Sequence, residues 1–230
     1  MNLKHFLLVF FVTVFVDATA VAQSLSPSTR THWEKGTLVI DSPARPAGQQ
    51  HVLGLSVPKM ECVRVGFVGL GMRGPGAVER FTHIPGVRIV ALCDYEKGKA
   101  EACQGYLRKA GLPPADIYSG EKGYEELCGR SDIDLVYVAT DWLHHFPVAK
   151  CALLNGKHTA VEVPSVMNLE QCWELIELSE RKRLHCMILE NCCYDRNEMA
   201  VFNMVRKGLL GEIIHLEGGY RLDLRDEVSL

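Results

Sequence analysis

Three glycines carry the first chemical constraint. In residues 63–76, VRVGFVGLGMRGPG, an apolar run breaks into Gly69, Gly71 and Gly74 and then turns helix-like. A glycine cluster alone is only a turn. Here it follows a strand-like run, opens a helix, and is trailed by about 20 residues to Asp94, the last residue of a second apolar run, VRIVALCD. In that context Gly69 makes a tight turn, Gly71 lets a phosphate group approach the backbone, and Gly74 lets the helix pack closely on the strand. Free N–H groups and the dipole at the helix start favour an anion. Asp94 is placed to accept hydrogen bonds from both hydroxyls of a ribose, and its charge repels a 2′-phosphate. Together these features predict a dinucleotide site that prefers NAD to NADP.

Two further segments belong to the same predicted sheet edge. ATDWLHHFP, residues 139–147, ends the fourth apolar run and offers Trp142, His144 and His145 to the nicotinamide side of a cofactor. For either histidine alone, a helix-start residue bonded to backbone is an equally good reading. AVEVP, residues 160–164, ends the fifth run, and Pro164 fixes the chain where it leaves the sheet. The nine cysteines (62, 93, 103, 128, 151, 172, 186, 192 and 193) are scattered without a C-x-x-C pair, so no metal site is expected. Most read as small buried hydrophobes, the vicinal Cys192 and Cys193 included.

The elements that must hold these residues are legible as alternation. Apolar strand-like runs VRVGFVG, VRIVALCD, a short one at Ile117, LVYVAT, HTAVEV and LHCMILE are separated by helix-like stretches near 74–82, 97–110, Tyr124, 146–155 and 169–182. Continuous apolar strands alternating with helices predict an α/β fold, a doubly wound parallel sheet of Rossmann type over residues 61–190. From residue 191 the texture changes: a helix over 197–207 stops at Gly208, and GEIIHLEGGYRLDL alternates like a strand of a different, antiparallel sheet. Residues 191–230 therefore read as the beginning of an incomplete α/β substrate domain. Residues 23–60, rich in Ser, Pro, Gly and Gln, read as a linker or N-terminal arm packing over a domain surface. Residues 1–22, with Lys4, His5, the run FLLVFFVTVFV and Ala20-Val21-Ala22, read as a signal peptide. The run is too short for a membrane span, so the expected product is exported, periplasmic or secreted, with no integral span after cleavage. A net charge of −3 with no basic stripe gives a nucleic-acid partner no support. The expected partner is a small sugar or glycan, and assembly into a homo-oligomer stays open.

The glycine turn, the Asp94 position, the Trp-His segment and the E-x-P end of the fifth strand resemble the Gfo/Idh/MocA group of NAD(P)-dependent sugar-modifying enzymes. In its dehydrogenases the middle residue of E-x-P is usually a lysine that helps move the substrate hydroxyl proton. Val163 stands there instead, which counts against an ordinary dehydrogenase. RPAGQQHVLGL, VRVGFVGLGMRG, GKHTAVEVP, LENCCYD and GEIIHLEGGY, taken in order, resemble glycoside hydrolase family 109, the NAD-dependent α-N-acetylgalactosaminidases, in which E-V-P is the normal form. The resemblance covers the N-terminal half of that family. It implies cofactor contacts at Met72, Arg73, Asp94, Trp142 to His145, Glu162, Val163 and Asn191, a sugar contact at Tyr220, and a weaker substrate-side candidate at Tyr194. It also implies hydrolysis by oxidation at C3 of the sugar, elimination, addition of water and reduction, with NAD regenerated in each turnover. Such a route stands apart from two-carboxylate glycosidases. The competing readings are a sugar or polyol dehydrogenase and a non-catalytic NAD-binding module.

Overall fold

Chain order in the computed structural model, which describes residues 31–40 and 43–219, runs from a small hairpin into a regular alternation of strands and helices. The hairpin pairs β1 (Thr31–Glu34) with β2 (Thr37–Ile40) antiparallel. It lies within the segment read as a linker or N-terminal arm. Lys35 and Gly36 both take positive φ, 50° and 82°, as a two-residue turn matched to strand twist requires. The alternation then follows as β3 (Val63–Val68), α1 (Gly74–Phe81), β4 (Val87–Asp94), α2 (Lys97–Lys109), β5 (Asp116–Ser119), α3 (Gly123–Cys128), β6 (Leu135–Val138), α4 (Trp142–Leu154), β7 (His158–Val161), α5 (Leu169–Lys182) and β8 (Cys186–Ile188).

The six strands β3 to β8 form one parallel sheet in the order β5-β4-β3-β6-β7-β8. The chain winds outward from β3 to β5, returns to the other side of β3 as β6, and winds outward again. This is the doubly wound Rossmann arrangement, and the strand order reverses between β3 and β6, where a crevice is left at the carboxyl ends. Each face is covered. Val65 and Phe67 of β3 and Tyr137 of β6 point to the side closed by α1 and α2, with Val78, Leu92 and Leu107. Val68, Val136 and Val138 point to the other, closed by α3, α4 and α5 with Leu127, Leu153 and Leu178. This is the two-residue side-chain period of a strand buried on both sides. Phe67, Phe81 and Tyr137 meet as an aromatic cluster, with ring centroids 5.0–5.5 Å apart.

One helix boundary differs from expectation. Helix α4 begins at Trp142 rather than near residue 146, because the Asp141 carboxylate caps it by accepting from the Leu143 amide at 2.9 Å. Pro147 lies inside it, and the hydrogen bond it cannot make is to the carbonyl of Leu143, in the exposed first turn. Residues 43–49 lie against α5, where Arg45 makes a bidentate pair with Glu180 at 2.7 and 2.8 Å and Gln49 adds a third bond at 3.0 Å. From Glu190 onward the chain forms a separate unit, whose described residues contain one helix, α6 (Arg196–Arg206), followed by Gly208 at positive φ. The strand expected from residue 211 is not formed over 211–219, where no partner strand is at hand to complete its backbone ladder; the rest of that segment lies outside the described residues.

Candidate functional site

At the carboxyl ends of β3, β4 and β6 a cavity of about 750 Å³ opens, lined by Gly69, Gly71, Met72, Asp94, Thr140 and His144 among others. Its volume is that of a small-molecule or cofactor site. Its floor is set by backbone. Gly69 has φ +91° and donates to the Cys93 carbonyl at 2.9 Å. A Cβ at Gly69 would lie 2.4 Å from the Ala139 carbonyl and the Thr140 nitrogen, so the turn after β3 presses directly on the turn after β6. A Cβ at Gly74 would lie 2.0 Å from the Gly69 carbonyl oxygen, which is the close helix–strand approach that the third glycine permits. Gly71 differs. A Cβ there would meet no protein atom within 4 Å, so nothing inside the protein demands a glycine, and the space it leaves belongs to the cavity mouth.

The first turn of α1 contains no acidic residue and has no side-chain cap, so its amides and dipole are uncompensated by the protein. Arg73 is the exposed residue at the cap position. Asp94 is only 9% exposed, yet lines the cavity. Its Oδ2 accepts from the Leu70 amide at 2.6 Å and its Oδ1 from the Glu96 amide at 2.9 Å. Each oxygen keeps a lone pair for a further donor. The glycine turn, the uncapped helix start and the anchored carboxylate fit the pyrophosphate and ribose of a dinucleotide.

The 139–145 turn supplies the opposite wall. His144 lines the cavity, and its Nδ1 is 2.6 Å from Asp141 Oδ2, so Nε2 is the nitrogen available to a ligand. Burial would raise the Asp141 carboxyl, but His144 and the amides of Leu143 and His144 together hold it below its ordinary value. Trp142 and Leu143 are exposed on the first turn of α4, outside the cavity lining. His145 is not among the residues lining the cavity. It is 1% exposed, and its ring nitrogens face the carbonyls of Pro164 at 2.7 Å and Thr140 at 3.0 Å. It clamps the cavity turn to the exit of β7.

Glu162 and Val163 sit half-buried at that exit, ahead of the cis Val163–Pro164 peptide. Glu162 is oriented by a residue the sequence concealed, Tyr137, whose hydroxyl donates to Oε1 at 2.9 Å. Burial first, and Glu162 second, push the Tyr137 hydroxyl above its ordinary value, so it stays a donor. Within LVYVAT, Tyr137 reads as one more apolar core residue. Asp141, the cap of α4, was not read from the sequence, where the helix was expected to start near residue 146. Asn191 and Tyr194 lie beyond Leu189 in the second unit, where both are exposed, and Tyr220 is outside the described residues. Among the described residues no three His, Cys, Asp or Glu side chains converge in a way that could hold a metal ion.

Comparison with known proteins gives a consistent pattern. Residues 63–189 match the profile of Gfo/Idh/MocA, described as an oxidoreductase family with an NAD-binding Rossmann fold, and residues 194–229 match the C-terminal domain of glycosyl hydrolase 109. Glycosyl hydrolase family 109 protein 3 of Phocaeicola vulgatus is 67% identical over 220 residues, covering 96% of this chain and 40% of that protein. Family 109 protein 1 of Bacteroides thetaiotaomicron is 55% identical over 188 residues, covering 81% of this chain and 40% of that protein. The chain thus spans about two fifths of the length of these relatives. Among solved structures, a myo-inositol dehydrogenase from Lactobacillus casei in complex with NAD(H) and myo-inositol superposes with a TM-score of 0.56 at 26% identity, covering 65% of this chain and 43% of that one.

Proposed function

The chain belongs to the Gfo/Idh/MocA oxidoreductase family, with its NAD-binding Rossmann fold, and from that premise we propose that it is the NAD-binding part of a glycosidase that releases α-linked N-acetylgalactosamine. The observation that carries the reading is the Gly69–Gly74 turn, in which two glycines are demanded by protein contacts and the third, Gly71, by none, beside a buried Asp94 with acceptor capacity to spare. The start of α1 would hold the pyrophosphate, Asp94 the ribose, and the 139–144 wall with His144 the nicotinamide side. When bound, NAD supplies an acceptor for a hydride from the sugar and the donor that returns it. The naming of the relatives as family 109 glycosyl hydrolases and the valine between Glu162 and Pro164 support a glycosidase over a dehydrogenase.

The test uses a protein extended to the full length of these relatives. It is expected to release N-acetylgalactosamine from an α-linked aryl glycoside with no net change in NADH absorbance. Substrate deuterated at C2 and run in light water is expected to yield product that has lost the label. Full retention of deuterium would falsify the elimination route. Steady accumulation of NADH would instead assign a sugar dehydrogenase, the reading that the likeness to myo-inositol dehydrogenase keeps open. The 230-residue chain alone is expected to bind NAD without turnover, since misplacing a substrate by even about 1 Å costs on the order of a hundredfold in rate.

A further inference from the structure

We propose that Glu96 is a second determinant of the preference for NAD over NADP, because it engages Lys99 and so withholds from a 2′-phosphate the cation that would otherwise receive it. The inference rests on the dinucleotide reading of the cavity and adds to it a residue that acts through its neighbour. Lys99 is the one lysine or arginine among the described residues that line the cavity, whose wall also carries the carboxylates of Asp94, Glu96, Glu121 and Asp141. Its Nζ donates to Glu96 Oε1 at 2.8 Å.

The local chain geometry sets up this pairing. Asp94 ends β4, Glu96 immediately precedes α2, and Lys99 lies in the first turn of that helix. The Glu96 amide donates to Asp94 Oδ1 at 2.9 Å, and the Glu96 carbonyl accepts from the Lys99 amide at 3.0 Å. Glu96 is thus held by its backbone between the carboxylate assigned to the ribose and the lysine. Its side chain makes no cap bond to the helix and reaches three residues on to Lys99 instead. The Lys99 ammonium is pushed above its ordinary value, first by the Glu96 bond, against burial, and then by the charges of Asp94 and Glu96, so the field of the ribose carboxylate reaches it. Lys97, the other lysine of that turn, does not line the cavity, and its Nζ lies 3.2 Å from a Glu101 carboxylate oxygen.

A phosphate monoester at the 2′ position brings about 1.5–2 negative charges at neutral pH. A free ammonium at the Asp94 corner would offset much of the repulsion there, through charge-assisted bonds to the phosphate oxygens. Bonded to Glu96, the ammonium sits in a neutral pair. A ribose hydroxyl has no need of it. The two carboxylates therefore have different tasks: Asp94 accepts from the hydroxyls and repels a phosphate, and Glu96 occupies the cation that would attract one.

The test titrates the 230-residue chain with NAD and with NADP in a calorimeter and reads the ratio of the two dissociation constants. Glu96→Gln keeps the backbone bonds and removes the charge, and the ratio is expected to move toward NADP by about five- to tenfold. A general loss of structure would weaken both nucleotides and leave the ratio in place. The side chains of Glu96 and Lys99 are 66% and 44% exposed, so the variants are expected to fold with an unchanged thermal midpoint. In a Lys99→Met background the same Glu96→Gln change is expected to move the ratio by about twofold or less, since no cation remains to be released. An undiminished movement in that background would assign direct repulsion by Glu96 and overturn the proposal, as would a ratio that does not move toward NADP when Lys99 is present. If the unaltered chain bound neither nucleotide, the dinucleotide reading itself would fail and take the proposal with it, a result distinct from both of the others.

Discussion

Gly71 and Gly74 lie three residues apart and should respond to one added carbon in opposite ways. Gly74→Ala forces a methyl to within 2.0 Å of the Gly69 carbonyl. A cost of about 1–3 kcal/mol or more is expected, read as a lower thermal midpoint. Gly71→Ala meets no protein atom, so the midpoint should hold while NAD affinity in calorimetry falls about tenfold or more, because the methyl occupies space assigned to the pyrophosphate. If Gly71→Ala bound NAD as well as the unaltered chain, the pyrophosphate assignment would be lost. Asp94→Ala removes a ribose acceptor and also strands the Leu70 and Glu96 amides. It should weaken NAD binding by about tenfold or more and narrow the preference over NADP, a result checked by titrating both cofactors. The glycine spacing and Asp94 were legible because strand, turn and helix are contiguous in sequence. The bonds that hold Asp94, the clamp at His145 and the tyrosine behind Glu162 were not, since each joins segments that only tertiary folding brings together.

At the scale of elements, the dock of residues 43–49 on α5 rests on Glu180. The Arg45 guanidinium, and then Gln49, hold its carboxyl down to about 2, against an ordinary value of 4.5. A carboxyl depressed on folding contributes stability above its ordinary value and loses it as pH falls through the folded one. Docking should therefore be intact above about pH 4.5 and weaken progressively toward pH 2. Hydrogen exchange of the amides within residues 44–51, corrected for intrinsic rates, should rise over that window before β3 does. In Arg45→Ala the same amides should exchange faster already at neutral pH. Arm exchange that tracks β3 at every pH would remove the independent dock. Elements with strong signals were readable: α5 came out at its expected bounds, with Asn168 as its cap. The β1–β2 hairpin was missed because two four-residue strands around Lys35-Gly36 are too short to show a period. Helix α4 started earlier than expected because its first turn is set by the Asp141 cap, a single side chain that leaves no periodic signal.

For the whole molecule, six apolar runs in alternation were enough to read the doubly wound sheet, because burial on both faces leaves no polar stripe to confuse the pattern. The unit from Glu190 was harder, since residues 211–219 have the two-residue alternation of a strand without the neighbour that makes a strand. Among the described residues no helix is long and apolar enough to cross a bilayer. We propose export of the chain with cleavage before Gln23, and mass spectrometry of the mature N-terminus should find Gln23 or its cyclised form; an intact Met1 would end that proposal. The close approach of Gly69 to Ala139 and Thr140 also sets an order of events. The two turns are about 70 residues apart in the chain, and β6 must slot in beside β3 before they touch. A cofactor therefore has only the pyrophosphate and ribose side of its site, and not the 139–144 wall, until that long-range insertion is complete. NAD should act as a latch rather than a template, leaving the refolding rate unchanged while slowing unfolding in proportion to its occupancy, so that exposure to protease falls as cofactor concentration rises.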